Sequence, residues 1–382
     1  MNRKLSTFII LATFLFGGLC LPAASSFTPP KYIRVAIIQN AESLNLKVSG
    51  SYQITAPTEK KVPARGKNLM TTVTSCKNGI LMGGSNFNSD SLLISTDYAD
   101  VIIINGRTFR GDIKFIKNKS GKLIAINYVE LEDYIRGILY HEVSHYWPME
   151  ALKAQAIVCR TYAVYQIQEN KLRDYDVTSD IYSQVYGGKT SERYRTSNAV
   201  DATRGTMLTY QGKVFPAYFH STCGGHTEDA FLLWKTNMAP LKGVPCNFCA
   251  DSPHFNWHYV LTREEVRDKL AKGGFSINSI EDIAIMARDG SGRVTDLKVI
   301  SAKNETKISA KDFRNIIGPN IIRSANFTVN LVHDDVVFEG LGWGHGVGLC
   351  QWGAYFMAKR GFSAAQILEY YYPEAKLETI GF

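Results

Sequence analysis

The chain has 382 residues, 45% hydrophobic and 20% charged, with 43 Lys and Arg against 35 Asp and Glu. That length and composition exclude a disordered or fibrous chain and allow two domains, or one large domain with extensions. The charge of +8 is scattered rather than clustered, which excludes a nucleic-acid-binding stripe; it suits an anionic polymer, and a plain soluble basic surface equally.

The N-terminus predicts a signal peptide over residues 1–26. Arg3 and Lys4 precede an apolar run over residues 8–21, and Ala23, Ala24, Ser25 and Ser26 follow. The run is short for a membrane span, which needs about 20 residues. An exported protein of the periplasm or extracytoplasmic envelope is expected, with a retained anchor as the alternative. Leu19 argues against lipidation at Cys20, because a small residue is required there.

Residues 27–115 read as a β-rich region. Residues 32–38 and 101–104 are β-branched runs, residues 44–47 alternate, and residues 83–91 supply turn residues. No catalytic set of residue types stands out, so a scaffolding or wall-binding role is expected. Residues 116–376 read as a second, catalytic unit. A strand over residues 123–128 leads into a helical pattern from Val129, in which Leu131, Ile135, Ile138 and Glu142 share a face. A carboxyl projecting from an apolar stripe has a raised pKa and can protonate a glycosidic oxygen. Gly137 threatens to end that helix early, leaving Glu142 a solvated helix-end residue.

The next helix, over residues 147–168 with Pro148 at its start, is apolar nearly all round and belongs in a core. Lys153 and Arg160 lie among its apolar positions and need an anion, either a structural carboxylate or Glu142 with its substrate. Capping pairs Thr262/Glu265, Ser309/Asp312 and Ser363/Gln366 mark later helix starts, and Lys359-Arg360-Gly361 marks a stop. Residues 289–292 predict a turn before a strand over 294–300. Without regular βαβ alternation the fold class is α+β, mixed sheets and helices around a buried central helix.

Two further features carry chemistry. Residues 342–348, Gly-Trp-Gly-His-Gly-Val-Gly, at strand spacing put every glycine on one face and Trp343, His345 and Val347 on the other. Such glycines permit close approach of a backbone or ligand, and an aromatic beside a histidine fits a sugar. Cys223, Cys246 and Cys249 form short knuckles with His220 or His226, a set that fits a structural zinc ion; disulfides are the alternative in an oxidising compartment. Cys159 and Cys350 read as packing residues. No His-Glu-x-x-His pair is present for hydrolysis at a metal.

Five ordered blocks resemble the stage II sporulation protein D family, lytic enzymes of the bacterial cell wall with amidase-enhancer relatives. They are residues 129–142 (Val-Glu-Leu-Glu-Asp-Tyr-Ile-Arg-Gly-Ile-Leu-Tyr-His-Glu), 147–163 (Trp-Pro-Met-Glu-Ala-Leu-Lys-Ala-Gln-Ala-Ile-Val-Cys-Arg-Thr-Tyr-Ala), 184–188 (Gln-Val-Tyr-Gly-Gly), 219–228 (Phe-His-Ser-Thr-Cys-Gly-Gly-His-Thr-Glu), and 342–354 with a closing stretch at 367–373. The resemblance implies lytic transglycosylation of peptidoglycan glycan strands, preferably those stripped of stem peptides, with Glu142 as acid and base. It implies substrate contacts at Lys153, Arg160, Tyr186, His220, His345 and Gln351. No cofactor is implied for catalysis, and no second carboxylate stands out in the sequence. The amidase-enhancer relatives imply the alternative, a non-catalytic wall-binding partner of a peptidoglycan amidase. Two departures bear on the site. Val143-Ser144 replaces the family's Met-Pro after the glutamate. Tyr182-Ser183 replaces the Cys and His-Cys ligands with which some members bind zinc, so Cys223, Cys246, Cys249 and His226, the likelier ligand if His220 lines the groove, would be a separate structural zinc set.

Overall fold

Strand-forming runs dominate the first hundred described residues and pair accordingly. The computed structural model describes residues 30–56, 64–97, 100–180, 183–302 and 304–380; the expected signal segment lies outside them. An 11-stranded sheet runs in the order Val177–Thr178, Tyr32–Ala41, Leu123–Glu130, Asp112–Lys117, Ser91–Thr96, Ser43–Thr55, Ala64–Cys76, Gly79–Met82 and Ser85–Phe87, with Val101–Ile104 and Arg107–Phe109 joined at its side. Leu44, Leu46 and Val48 are buried while Ser43, Asn45 and Lys47 are exposed, the alternation that a sheet with one covered face requires. The anticipated boundary at 115/116 falls inside the strand Asp112–Lys117, which pairs antiparallel with Leu123–Glu130. The β-rich region and the next unit therefore share one sheet and one core, and the fold is α+β.

Helix α1 (Leu131–Glu142) leaves that sheet directly, and α2 (Met149–Glu169) packs against it. In α2 the residues from Ala154 to Arg160 are all buried, so this is the central helix its composition predicts. Helix α3 (Tyr194–Ala202) packs on both, and α4 (Ala230–Trp234) is a short turn capped by Asp229. Among the described residues no helix is long and apolar enough to cross a membrane.

A third unit, unforeseen as a separate body, interrupts this core. From Asn256 to Leu341 the chain builds two three-stranded sheets with α5 (Arg263–Lys272) and α6 (Ala310–Ile317) around their own apolar centre, including Phe313, Phe327 and Phe338. Its ends meet where the Gly342 N–H donates to the Phe255 carbonyl at 2.7 Å. The chain then returns as α7 (Gln351–Lys359) and α8 (Ala364–Tyr371), which pack on α2 in a second apolar cluster beside the core of the large sheet. Thr262/Glu265 and Ser363/Gln366 form complete capping boxes, and Ser309 caps α6, as their spacing predicts.

Candidate active site

A groove of about 980 Å³ separates the core from the inserted unit. Glu142, His220 and Gln351 line the core side; Arg293, Lys311 and Arg314 come from the insert. Helix α1 passes through Gly137 without ending and delivers Glu142 in its last turn. A methyl group at residue 137 would lie 2.5 Å from the Tyr186 ring, so glycine here admits an aromatic brace rather than a break. Tyr186 is itself buried; its hydroxyl is 2.8 Å from Asn127 Oδ1 and its ring packs 5.2 Å from that of Tyr134.

The Glu142 carboxyl is pushed up to about 7 by burial, while a hydrogen bond from the Val185 N–H pulls it down. Among the described residues no cation contributes to that balance. Arg160 is completely buried and makes a bidentate pair with Glu132, Nε to Oε1 at 2.8 Å and Nη2 to Oε2 at 2.7 Å. Its other donors reach the Thr206 and Val200 carbonyls. Lys153 pairs with Glu150 at 2.7 Å. Arg160 and Tyr186, expected as substrate contacts, are buried, and neither they nor Lys153, whose pair with Glu150 stays within α2, line the groove; helix spacing alone cannot tell which neighbour answers a charge.

Three other expected residues do meet Glu142 at the groove. Gln351 Nε2 donates to the Glu142 carbonyl at 3.3 Å and to Gln155 Oε1 at 3.4 Å. His220 is buried, and its Nδ1 donates to the Val347 carbonyl at 3.1 Å. That bond fixes the tautomer and leaves Nε2 as a lone-pair acceptor, which has no partner among the described residues. Burial, with His345 and Arg293 nearby, keeps the ring neutral by holding its pKa well below the usual histidine range. His345 differs: its Nδ1 accepts from the Val347 N–H at 3.1 Å and it also bonds the Phe219 backbone, so it braces the wall. Burial lowers its pKa to about 3.

The glycine run is not the strand its alternation predicts. Gly342, Gly344, Gly346 and Gly348 all have positive φ, between 71° and 119°, which breaks strand geometry at every second residue. Close approach is nevertheless their purpose. An added Cβ would meet the Thr222 carbonyl at Gly342, the His220 side chain at Gly344 and the Arg293 guanidinium at Gly346.

The groove also holds residues that no spacing flagged. Glu228, inside the fourth block, is buried and pushed up to about 7, chiefly by desolvation. Its oxygens take the Asp229 N–H at 2.8 Å and the Ser291 hydroxyl at 3.1 Å, and Arg293 Nε lies 3.9 Å away. A second carboxyl therefore exists in the groove, committed to tying the insert to the core. Arg314 carries no carboxylate partner in any ion pair described; its Nη2 reaches the Arg323 carbonyl, its Nε is buried and unpartnered, and burial lowers its pKa. Trp234 and Leu232 stand partly exposed at the rim. The insert has no counterpart among the five blocks, so only the tertiary contact could disclose Arg293 and Arg314.

Behind His220 the sulfur cluster takes a different membership from the one expected. Cys223, Cys246, Cys249 and Cys350 are all buried, and their four Sγ atoms lie within 4.8 Å of one another. His226 is not among them: its Nδ1 sits 2.6 Å from the Thr227 carbonyl, and its backbone bridges Pro245. Cys350 enters because Phe219–His220 pairs parallel with Leu349–Cys350 and sets it beside Cys223.

A family model described as Stage II sporulation protein matches residues 119–210, which contain Glu142 and α2. Stage II sporulation protein D of Bacillus subtilis is 30% identical over 263 residues, 65% of this chain and 74% of that protein. The chain belongs to the stage II sporulation protein D family. An uncharacterised protein of Brachyspira hyodysenteriae is 32% identical over 349 residues, 91% of this chain and 93% of that protein. The amidase enhancer of Bacillus subtilis is 24% identical over 293 residues, 64% of this chain but 40% of its own length. A second model, described only as a domain of unknown function, matches residues 247–348 and so covers the inserted unit of this family member.

Proposed function

We propose that the protein is an exported lytic transglycosylase that cleaves peptidoglycan glycan strands, with Glu142 as general acid and then base. The observation that carries this reading is the Glu142 carboxyl, at the groove with its pKa raised to about 7 by desolvation. Protonated, it donates to the glycosidic oxygen as the bond from muramic C1 breaks. The resulting carboxylate then takes the proton of the muramic 6-hydroxyl as that oxygen attacks C1. An anhydro-sugar end forms, no water is consumed, and the carboxyl regains its proton.

Other groove residues fit this substrate. His220 Nε2 offers an acceptor for a sugar hydroxyl, and Trp234 an aromatic face for a ring. Arg314 supplies a cation with no carboxylate partner among the described residues. Muramic residues that have lost their stem peptide expose a lactyl carboxylate, which would answer it; this supports a preference for denuded strands.

Purified protein and its Glu142→Gln variant, incubated with denuded strands and analysed by mass spectrometry, test the proposal. Anhydro-muramic ends from the wild type and about 10²–10⁴-fold fewer from the variant are expected. Reducing ends would mean hydrolysis, with Glu228 as the second carboxyl. The relative named amidase enhancer favours a second reading, in which the chain binds the wall and stimulates a peptidoglycan amidase. Under it neither form cleaves glycan, and both accelerate stem removal by an added amidase.

A further inference from the structure

We infer that Cys223, Cys246, Cys249 and Cys350 bind one tetrahedral thiophilic cation, zinc by class, which staples the inserted unit to the core. Four sulfurs drawn around one point is the arrangement of a tetrathiolate ion. Metal–sulfur bonds of about 2.3 Å place the sulfurs of a tetrahedron about 3.8 Å apart. Here Cys223 and Cys249 Sγ are 3.4 Å apart, and all four lie within 4.8 Å of each other.

The surroundings are built for thiolates. Cys350 caps α7, and its Sγ receives the Gly353 N–H at 3.3 Å and the Cys223 N–H at 3.3 Å. The Tyr371 hydroxyl lies 3.1 Å from Cys246 Sγ, placed to donate. Polar hydrogens aimed at sulfur stabilise the anionic form, and a helix N-terminus adds to that. Four adjacent buried thiolates without a counterion would repel strongly; a dication removes the repulsion. Two disulfides would instead draw the sulfurs into two tight pairs and leave these donors with poor acceptors.

The position of the cluster states its task. Cys246 and Cys249 close the segment that leads into the insert, and Cys350 opens the segment that leaves it. Cys223 follows His220 by three residues, and Cys350 immediately precedes Gln351, the residue bonded to the Glu142 carbonyl. One ion would therefore fix the base of the insert against both histidine and glutamine walls of the groove. This inference is independent of the glycosidase proposal, because its readouts are metal content, the cobalt spectrum and thiol reactivity.

The test uses the full mature chain, purified without chelator from zinc-supplemented medium. Metal analysis should give about one zinc per chain, and cobalt exchange should give the intense visible bands of a tetrahedral thiolate site. Cys350→Ser and Cys246→Ser should lower the zinc content at least tenfold, whereas His226→Ala should leave it unchanged. If the cysteine variants fail to fold, the cobalt spectrum and thiol alkylation of the wild type decide alone, with the four cysteines alkylated only after chelation. Less than a tenth of a zinc per chain, or mass-spectrometric detection of disulfides among these four cysteines, would overturn the inference.

Discussion

At the scale of single residues, two charged groups that share a helix-spacing argument have opposite fates. Glu142 keeps a raised pKa because desolvation meets only one opposing hydrogen bond. Its kcat/KM should be highest on the acid side and fall about tenfold per pH unit above about 7, as the required proton is lost. The same shift makes a stability prediction of definite sign. A folded-state pKa above the ordinary 4.5 means the folded protein holds the proton more tightly, so stability is fullest below 4.5 and declines as pH rises to about 7. Glu142→Gln should remove that decline and exceed the wild type at pH 8 by roughly 2 kcal/mol, after solvent in the groove screens part of the effect. Urea titrations of both proteins at pH 5 and pH 8 measure it; equal curves at pH 8 would contradict the raised pKa. Arg160, by contrast, is spent on Glu132 inside the core. Arg160→Met should destabilise by about 3–5 kcal/mol by stranding a buried carboxylate, and adding Glu132→Leu should recover most of it. Recovery of glycan cleavage in the double variant would show that Arg160 positions helices; a folded but inactive double variant would return it to the groove.

Among elements, α1 decides whether there is a site. Its twelve residues carry Glu142 from the end of the interior strand Leu123–Glu130 to the groove, and Gly137 lets Tyr186 lie against it midway. Gly137→Ala sets two effects against each other. Helix propensity favours alanine by about 1 kcal/mol, but the new methyl would need the 2.5 Å gap to the Tyr186 ring to widen, an overpacking cost of about 1–3 kcal/mol. A net loss in melting temperature and a lower kcat, through displacement of the last helical turn, are expected from thermal and single-turnover measurements. The glycine run teaches a similar lesson about spacing. Alternation alone is compatible with a strand, but four positive φ angles turn it into a tight coil against residues 218–224. What survived was the reason for glycine, close approach; what failed was the periodicity, because glycine abolishes the restriction on which strand periodicity depends.

Over the whole molecule, the groove is a property of two units together. Arg293 leaves the insert to donate to the Cys223 carbonyl at 2.6 Å and the His226 carbonyl at 2.9 Å, beneath Gly346. Arg293→Met should take from Glu228 its nearby cation and from the Cys223 and His226 carbonyls their donor, lowering stability by about 3 kcal/mol and opening the groove. Hydrogen exchange should then rise first in residues 218–228 and 342–350; unchanged protection there would show that the insert is held by other contacts. The family model covers the part of the groove that carries Glu142, and the facing wall lies in the inserted unit.

Much was legible without coordinates because it is local. The strand patterning of 32–38, 44–47 and 101–104, the caps at Thr262, Ser309 and Ser363, and each of the blocks that mark the family depend on neighbours within a few positions. What only the tertiary structure decided involves partners far apart in the chain. Glu132 claims Arg160 across 28 residues. Cys350 displaces His226 from the sulfur cluster across 127 residues from Cys223. Arg314 faces the groove from an insert with its own core. Charge pairing, metal-ligand membership and groove walls are set by distance in space, and a linear sequence records only distance along the chain.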